Sequence, residues 1–383
     1  MSSLPSSPRL KVLFCTDGIF PHAVGGMQRH SRLLVEALAH TGEVDLVVLH
    51  PHPGEAIFAD FPQVEEIALP PLPGKKHYFF ELRDYSKLVL AEALKRPDHL
   101  IYSQGLSVWA DRKKIAERMI VNPHGLEPYQ ALGLLNRLKT APYRFVFNRI
   151  FRGAAHTVAL GGRLTKILQR VMREERDRIV VLPNATNPVN LPAEQLWKTK
   201  TKPVRFLFTG RFAYNKGIDL LLKAARHLNE TGRQADFELD LAGKGPLFEK
   251  MKAEYPLPNV RFGGFVPDEE LEQLYLDCHV FVLPTLFEGM PTVVLEAMAR
   301  AMPAIVSDVG ATRELTGEGG GFLIEKNNLP ELIEAMVHLI DMPKAEYREM
   351  SYHALHNFSE HYTWKAVAQR HLEVFAALRA RLG

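Results

Sequence analysis

Hydrophobic and polar positions along the chain alternate in a fixed manner. A short apolar run enters a loop rich in Gly, Pro or charge, and a longer segment with helical spacing follows. Arg9–Thr16 is the first such run; it leads through DGIFPHAVGGMQRH into HSRLLVEALAHTG, a helix stopped by Gly42, and Val44–His50 is the next strand. Strand, Gly-bearing loop, helix and strand make a βαβ opening. Further strands are predicted at Val64–Leu69, His99–Ser103, Arg118–Asn122, in HTVALG and at Ile179–Leu182. Helices are predicted over Tyr78–Arg96, in the basic stretch 130–153 and over Leu164–Arg176.

The same order then starts again. Residues 186–203, TNPVNLPAEQLWKTKTKP, carry three prolines among polar residues and are the best candidate for a linker. Strands follow at Val204–Phe208, Phe237–Ala242 and Val260–Phe262, with helices over Ile218–Thr231 and Asp268–Asp277. Phe281–Leu283 reads as a buried strand, Pro291–Arg300 as a helix, and Ala304–Ser307 and Gly321–Ile324 as short strands. Pro330–Leu339, Ala345–Asn357 and Trp364–Ala380 read as helices, the last with Leu372, Phe375 and Ala376 on an apolar side that must dock. Two successive βα arrays predict an α/β protein of two Rossmann-like domains facing each other across a cleft. The expected boundaries are 1–185 and 200–359, with the helix at about 360–383 packing back onto the first domain.

Composition refines this picture modestly. The 383 residues, 46% apolar and 24% charged, suffice for two cores of an ordinary globular protein. Cys15 and Cys278 each lie in apolar sequence, which favours buried thiols in a reducing compartment over a disulfide or metal framework. The opening MSSLPSSPR has no apolar h-region, and no uncharged apolar run reaches 18 residues, so the expectation is a cytoplasmic protein without a spanning helix. The net charge of +3 hides an asymmetry: residues 1–190 hold 25 Lys/Arg against 18 Asp/Glu, residues 191–383 hold 22 against 26. A basic front half suits an acidic substrate or peripheral contact with an anionic membrane, and equally an unevenly solvated surface.

Candidate chemistry sits in the loops after strands. Gly25 and Gly26 precede the first helix, where bare backbone N–H groups can approach an anion; the spacing is not the dinucleotide fingerprint, and a plain tight turn fits as well. GRFAYNKG places Arg211 and Lys216 together, a bidentate gripper and a mobile point charge suited to a diphosphate, or a solvated surface pair. Gly243 and Gly245 of AGKGP mark another close-approach loop, without Walker spacing. His124 in NPHG can accept a proton or bind a polar substrate. His22 and His30 form no recognised zinc pattern with it, and no metal site is expected. Glu288 and Glu296, eight residues apart across a loop-to-helix junction, can accept hydrogen bonds from sugar and ribose hydroxyls, or form the acid/base pair of a sugar hydrolase. The basic loops nearby favour a phosphorylated donor.

With these residues in view, the chain resembles the retaining, nucleotide-sugar-dependent glycosyltransferases of the GT-B fold, family 4 or glycosyl transferases group 1, over nearly its whole length. The strongest element is EGMPTVVLEAMA, which looks like the family's E-x7-E signature with Glu288 and Glu296 at its ends; the GG loop, TGR…KG, AGKGP and SDVGATRE occur in the family's order. The resemblance implies that Gly25 and Gly26 line the donor diphosphate and that Arg211 and Lys216 neutralise it on departure. It places Glu288 on the donor sugar, Glu296 on the ribose, and the backbone of Met290, Pro291 and Thr292 near sugar and diphosphate. His124 matches a first-domain histidine near the transferred sugar, for a hydrogen bond or donor positioning. Asn184 holds the PNG position beside the nucleotide. Retention, no obligatory metal and no cofactor beyond the donor substrate are implied, as are a UDP- or GDP-linked hexosyl donor and a glycan or lipid-linked glycan acceptor in envelope or exported polysaccharide synthesis, with no nucleic-acid partner. A nucleotide-sugar epimerase or hydrolase of the same architecture, and a noncatalytic nucleotide- or glycan-binding protein, are the alternatives. The sequence departs from the pattern at Ala185 and Ala301, where the family has Gly; because Ala resists positive φ, an altered backbone is expected at both. His156, in place of a frequent acidic residue, is expected to be a structural difference.

Overall fold

A computed structural model describes residues 9–383 except Val24, Glu55, 73–77 and Leu132. The leader reading of the opening residues and the end of the proline-rich stretch before Tyr78 fall outside the described residues. The apolar runs become parallel strands covered on both faces, which is why they read as continuous hydrophobic stretches rather than as alternation. In β1 (Leu10–Cys15) the last four residues are buried, and in β11 (Val280–Leu283) all four are.

The first sheet contains β1, β2 (Val44–His50), β3 (Val64–Ala68), β4 (Leu100–Gln104), β5 (Met119–Asn122), β6 (His156–Ala159) and β7 (Ile179–Val181). Its order is β3-β2-β1-β4-β5-β6-β7, all parallel, with Val12 opposite both Leu46 and Leu100. The second contains β8 (Val204–Thr209), β9 (Phe237–Ala242), β10 (Val260–Gly264), β11, β12 (Ala304–Ser307) and β13 (Gly321–Ile324) in the order β10-β9-β8-β11-β12-β13. Both sheets are therefore doubly wound in the Rossmann manner. Each reverses its winding between its first and fourth strands in sequence, β1/β4 and β8/β11, and such a reversal opens a crevice at the strands' carboxyl ends.

Two compact units result: residues 1–160, 164–184 and 364–383, and residues 185–363 with 161–163. Apart from the short excursion at 161–163, the chain changes unit at Asn184/Ala185 and at Thr363/Trp364. This corrects the reading of 186–203 as a free linker, because that stretch is fastened to the second unit. Thr186 forms a parallel bridge with Thr363, and Trp197 stacks on Tyr352. The buried Lys200 ammonium donates to the carbonyls of Leu339, Ile340 and Met342. These lie at the C-terminal end of the helix Leu329–Asp341, where a cation meets the unsatisfied carbonyls of the last turn. Pro and polar composition resembles a linker because the contacts that fix it come from residues about 140 positions away.

The helix Trp364–Leu382 packs on the first unit, against the helix Gly26–Thr41 and β1. Its buried residues Trp364, Val367, Ala368, His371, Leu372, Phe375 and Leu378 recur at helical spacing, so they form one stripe. A second correction concerns the expected backbone changes. Ala301 adopts φ 53°, the left-handed conformation that its family counterpart glycine takes easily, while Ala185 is not among the residues with positive φ. The buried carbonyl of Ala301 accepts from Ser351 Oγ, which helps offset a strain of about 1–2 kcal/mol. The helices Phe248–Glu254 and Thr312–Thr316 have no counterpart among the expected elements.

Candidate active site

In the first unit the segments after β1, β5 and β7 carry the residues singled out in the sequence. Gly25 caps the helix Gly26–Thr41 with an extended backbone, φ 165°, that any residue adopts. Space, rather than conformation, distinguishes the pair. A Cβ on Gly26 would meet nothing within 4 Å, and one on Gly25 would meet only the flexible end of Gln28.

His124 follows β5 with φ 57°, a strained turn whose geometry is enforced by a buried chain of hydrogen bonds. The His124 N–H donates to Asn122 Oδ1 (3.0 Å), Asn122 Nδ2 donates to the Tyr102 hydroxyl oxygen (3.1 Å), and that hydroxyl donates to His371 Nε2 (3.0 Å). His371 Nδ1–H in turn donates to Val367 O (2.8 Å), fixing its tautomer. Thus the C-terminal helix holds the turn on which His124 sits. The His124 ring bonds through Nε2 to Gln104 Oε1, so Nε2 carries the proton and Nδ1 keeps its lone pair. Burial pushes His124 down to about 3 and His371 down to about 4, so both are neutral near pH 7. His30 lies edge-on to His124 at 5.2 Å between ring centroids, and neither of its ring nitrogens has a hydrogen-bond partner among the described residues. Burial first, then His124 and His371, hold its pKa well below the usual histidine range. His22 instead stacks on His52 and takes no part in this group.

In the second unit the loops after β8 and β11 meet at the winding reversal. Lys216 Nζ pairs with Glu288 Oε1, both side chains largely shielded from solvent. The two loops are stitched by their backbones: the Asn215 carbonyl accepts from Thr285 Oγ1 (2.7 Å) and from the Leu286 N–H (2.8 Å). Gly217, at φ 70°, makes this possible, since an added Cβ would lie 1.9 Å from the Pro284 carbonyl oxygen. Arg211 is exposed and makes no ion pair with a described residue, so its charge is open to a ligand.

Gly243 and Gly245 serve the same loop from behind. A Cβ on Gly243 would fall 1.9 Å from Gly210 O, and one on Gly245 2.5 Å from Phe212 O. The approach they allow is to the backbone around Arg211: Phe212 N–H donates to Lys244 O and Gly210 N–H to Ala242 O. Glu296 lies on the helix Thr292–Met298, whose cap is Pro291, with Met290 buried just before it. Its Oε2 accepts from the Tyr275 hydroxyl (2.9 Å), which also meets Thr209 Oγ1 (3.0 Å). Burial, then Glu296, raises the Tyr275 pKa, so the phenol keeps its proton and donates. Asn184 is buried at the end of the first unit.

The structure therefore groups Lys216, Glu288 and the Arg211 loop within one unit, sets Glu296 on the adjoining helix, and places Gly25, Gly26, His124 and Asn184 in the other. Tyr275, Gly217, Thr285 and the His30–Gln104 support of His124 were not found from sequence. Gly217 had a signal, a glycine directly after the lysine; Tyr275 had none, since its partner is 21 residues away.

Two doubly wound parallel domains, one presenting cations and carboxylates at its winding reversal, make up a GT-B fold. Residues 24–189 match Glycosyltransferase Family 4 and residues 193–356 match Glycosyl transferases group 1. The chain belongs to this GT4-type family. It is 24% identical to an uncharacterized glycosyltransferase of Methanocaldococcus jannaschii over 98% of this chain and all of the relative. It is 30% identical to the UDP-Gal:alpha-D-GlcNAc-diphosphoundecaprenol alpha-1,3-galactosyltransferase of Escherichia coli over 39% of each. Sucrose-phosphate synthase of Thermosynechococcus elongatus shares the fold, with TM-score 0.74 and 21% identity over 97% of this chain and 100% of that one.

Proposed function

We propose that the protein moves a hexosyl unit from a UDP- or GDP-linked donor to a glycan or lipid-linked glycan in cell-envelope or exported polysaccharide synthesis. In this reading the anomeric configuration is retained, no metal is required, and the protein works at the cytoplasmic side of a membrane. The observation that carries it is the joining of the Lys216 and Glu288 loops at the β8/β11 reversal, with Arg211, which makes no ion pair with a described residue, in the same loop as Lys216. Lys216 and Arg211 neutralise the diphosphate as the bond from the anomeric carbon to its oxygen breaks. Glu288 holds sugar hydroxyls, and Glu296, oriented by Tyr275, receives the ribose. The acceptor oxygen attacks from the face the diphosphate leaves, and the departing phosphate oxygen takes the acceptor's proton. His124, neutral and with its turn fixed, orients the sugar by a hydrogen bond. The E. coli relative's UDP-galactose donor and lipid-diphosphate acceptor support the substrate classes.

Incubating the purified protein with pools of nucleotide sugars and acceptors, and detecting products by mass, tests the reading. Product requiring both pools is expected, persisting in chelator, with the donor's anomeric configuration by NMR. Arg211→Ala and Lys216→Ala are each expected to lower turnover by about 10²–10³-fold. Donor affinity unchanged in the double variant, or sugar release without acceptor, overturns it.

A further inference from the structure

The connection that follows the His124 turn carries a surface with no part in this transfer chemistry. Residues 128–173 contain nine Lys/Arg and no Asp or Glu. Within them the helix Leu134–Lys139 has all six residues exposed. Leu134 and Leu135 are 74% and 75% exposed and Leu138 63%, and their spacing puts them on one side of the helix. On the next helix, Ala141–Gly153, the residues Val146, Phe147, Ile150 and Phe151 are buried, while Phe145 stays 58% exposed with the Arg149 guanidinium 4.3 Å from its ring centroid. Arg137 and Lys139 stand among the leucines. A six-residue helix gains little from its own hydrogen bonds, and clustered exposed leucines mark a surface that meets something else.

We infer that this face docks on an anionic lipid bilayer, with Leu134, Leu135, Leu138 and Phe145 entering the interface and Arg137, Lys139 and Arg149 meeting lipid phosphates. Charge complementarity selects that occupant. An acidic glycan would match the cations and leave the leucines wet; a protein groove that took the leucines would need carboxylates to face the uninterrupted positive charge. A bilayer interface accepts both. The same connection is tied to the His124 turn by Gln130 Nε2 donating to Gly125 O (2.5 Å), and Tyr129 Oη donating to Asn148 Oδ1 (2.5 Å) links that segment to the helix Ala141–Gly153. A docked surface would therefore hold that turn close to lipid-borne acceptors. The inference takes up the membrane part of the proposed function, and vesicle binding is measured apart from turnover, so either can fail alone.

The test is sedimentation of the full chain with vesicles of phosphatidylcholine alone and of phosphatidylcholine mixed with phosphatidylglycerol. Association only with the mixed vesicles, weakened by salt, is expected. Replacing Arg137, Lys139 and Arg149 by Gln should lower partitioning on the order of a hundredfold. Leu134→Ser/Leu135→Ser/Leu138→Ser should lower it by roughly a hundredfold or more. Both variants should keep the wild-type melting profile and transfer to a soluble acceptor, since these side chains are exposed. Equal binding to neutral vesicles, no binding, or partitioning unchanged in both variants overturns the inference. So does a leucine variant that only converts an oligomer to a monomer, which would make the face a contact between copies of the chain.

Discussion

Lys216 reaches Glu288 because of the residue after it. Gly217 is left-handed and close against Pro284, so the β8 and β11 loops can approach within backbone hydrogen-bonding distance. Gly217→Ala places a side chain in a conformation costing about 1–2 kcal/mol and forces the loops apart, overpacking worth a further ~1–3 kcal/mol. An unfolding free energy from urea titration lowered by about 2–5 kcal/mol, with weakened donor binding, is expected. Gly26→Ala is its counterpart. With open space beyond Gly26 and a helical position, stability should stay level or rise by up to about 1 kcal/mol. If the diphosphate packs there, donor affinity falls all the same. Stable protein with undiminished affinity would remove Gly26 from the donor site.

At the scale of elements, the C-terminal helix and the His124 turn are one device, joined through Tyr102 inside the first sheet. Tyr102→Phe leaves the buried His371 Nε2 and Asn122 Nδ2 without their partner, at a cost of about 1–3 kcal/mol. Because Asn122 also holds the strained His124 turn, turnover should fall together with thermal stability. Wild-type turnover in this variant would show that the turn is held by other contacts. The strands of both sheets were legible in sequence to within a residue or two, since doubly covered strands need uninterrupted apolar residues. The short helices Phe248–Glu254 and Thr312–Thr316 were not, and neither was the fastening of 186–203, where a single lysine satisfies three carbonyls at a distant helix end.

For the whole molecule, the buried histidines set the response to acid. His30, His124 and His371 all belong to the first unit, with pKa values depressed by burial. The unfolded chain takes up a proton at each near pH 6.5. The folded chain does so only near pH 3 at His124 and pH 4 at His371. The contribution to stability is therefore complete above about pH 6.5 and is lost as pH falls towards those values. Between pH 6.5 and 5 the buried His371 alone accounts for up to about 2 kcal/mol. In the second unit His279 is depressed to about 4. Hydrogen exchange followed from pH 7 to 5 should show protection falling further in the first unit than in the second. Equal loss in both would mean that the histidines are not its source.

The sequence by itself determined the two βα arrays, the family and the chemical types at the site, because strand burial, loop glycines and an ordered set of motifs are local properties of neighbouring residues. It could also name Arg211, Lys216, Glu288 and Glu296 as the charges to watch. Tertiary structure alone decided that Lys216 pairs with Glu288, that Tyr275 holds Glu296, that His124 is neutral, and that three leucines stay in water. Each of these depends on which distant residues fold over a group and whether solvent still reaches it, and spacing along a chain carries no measure of either.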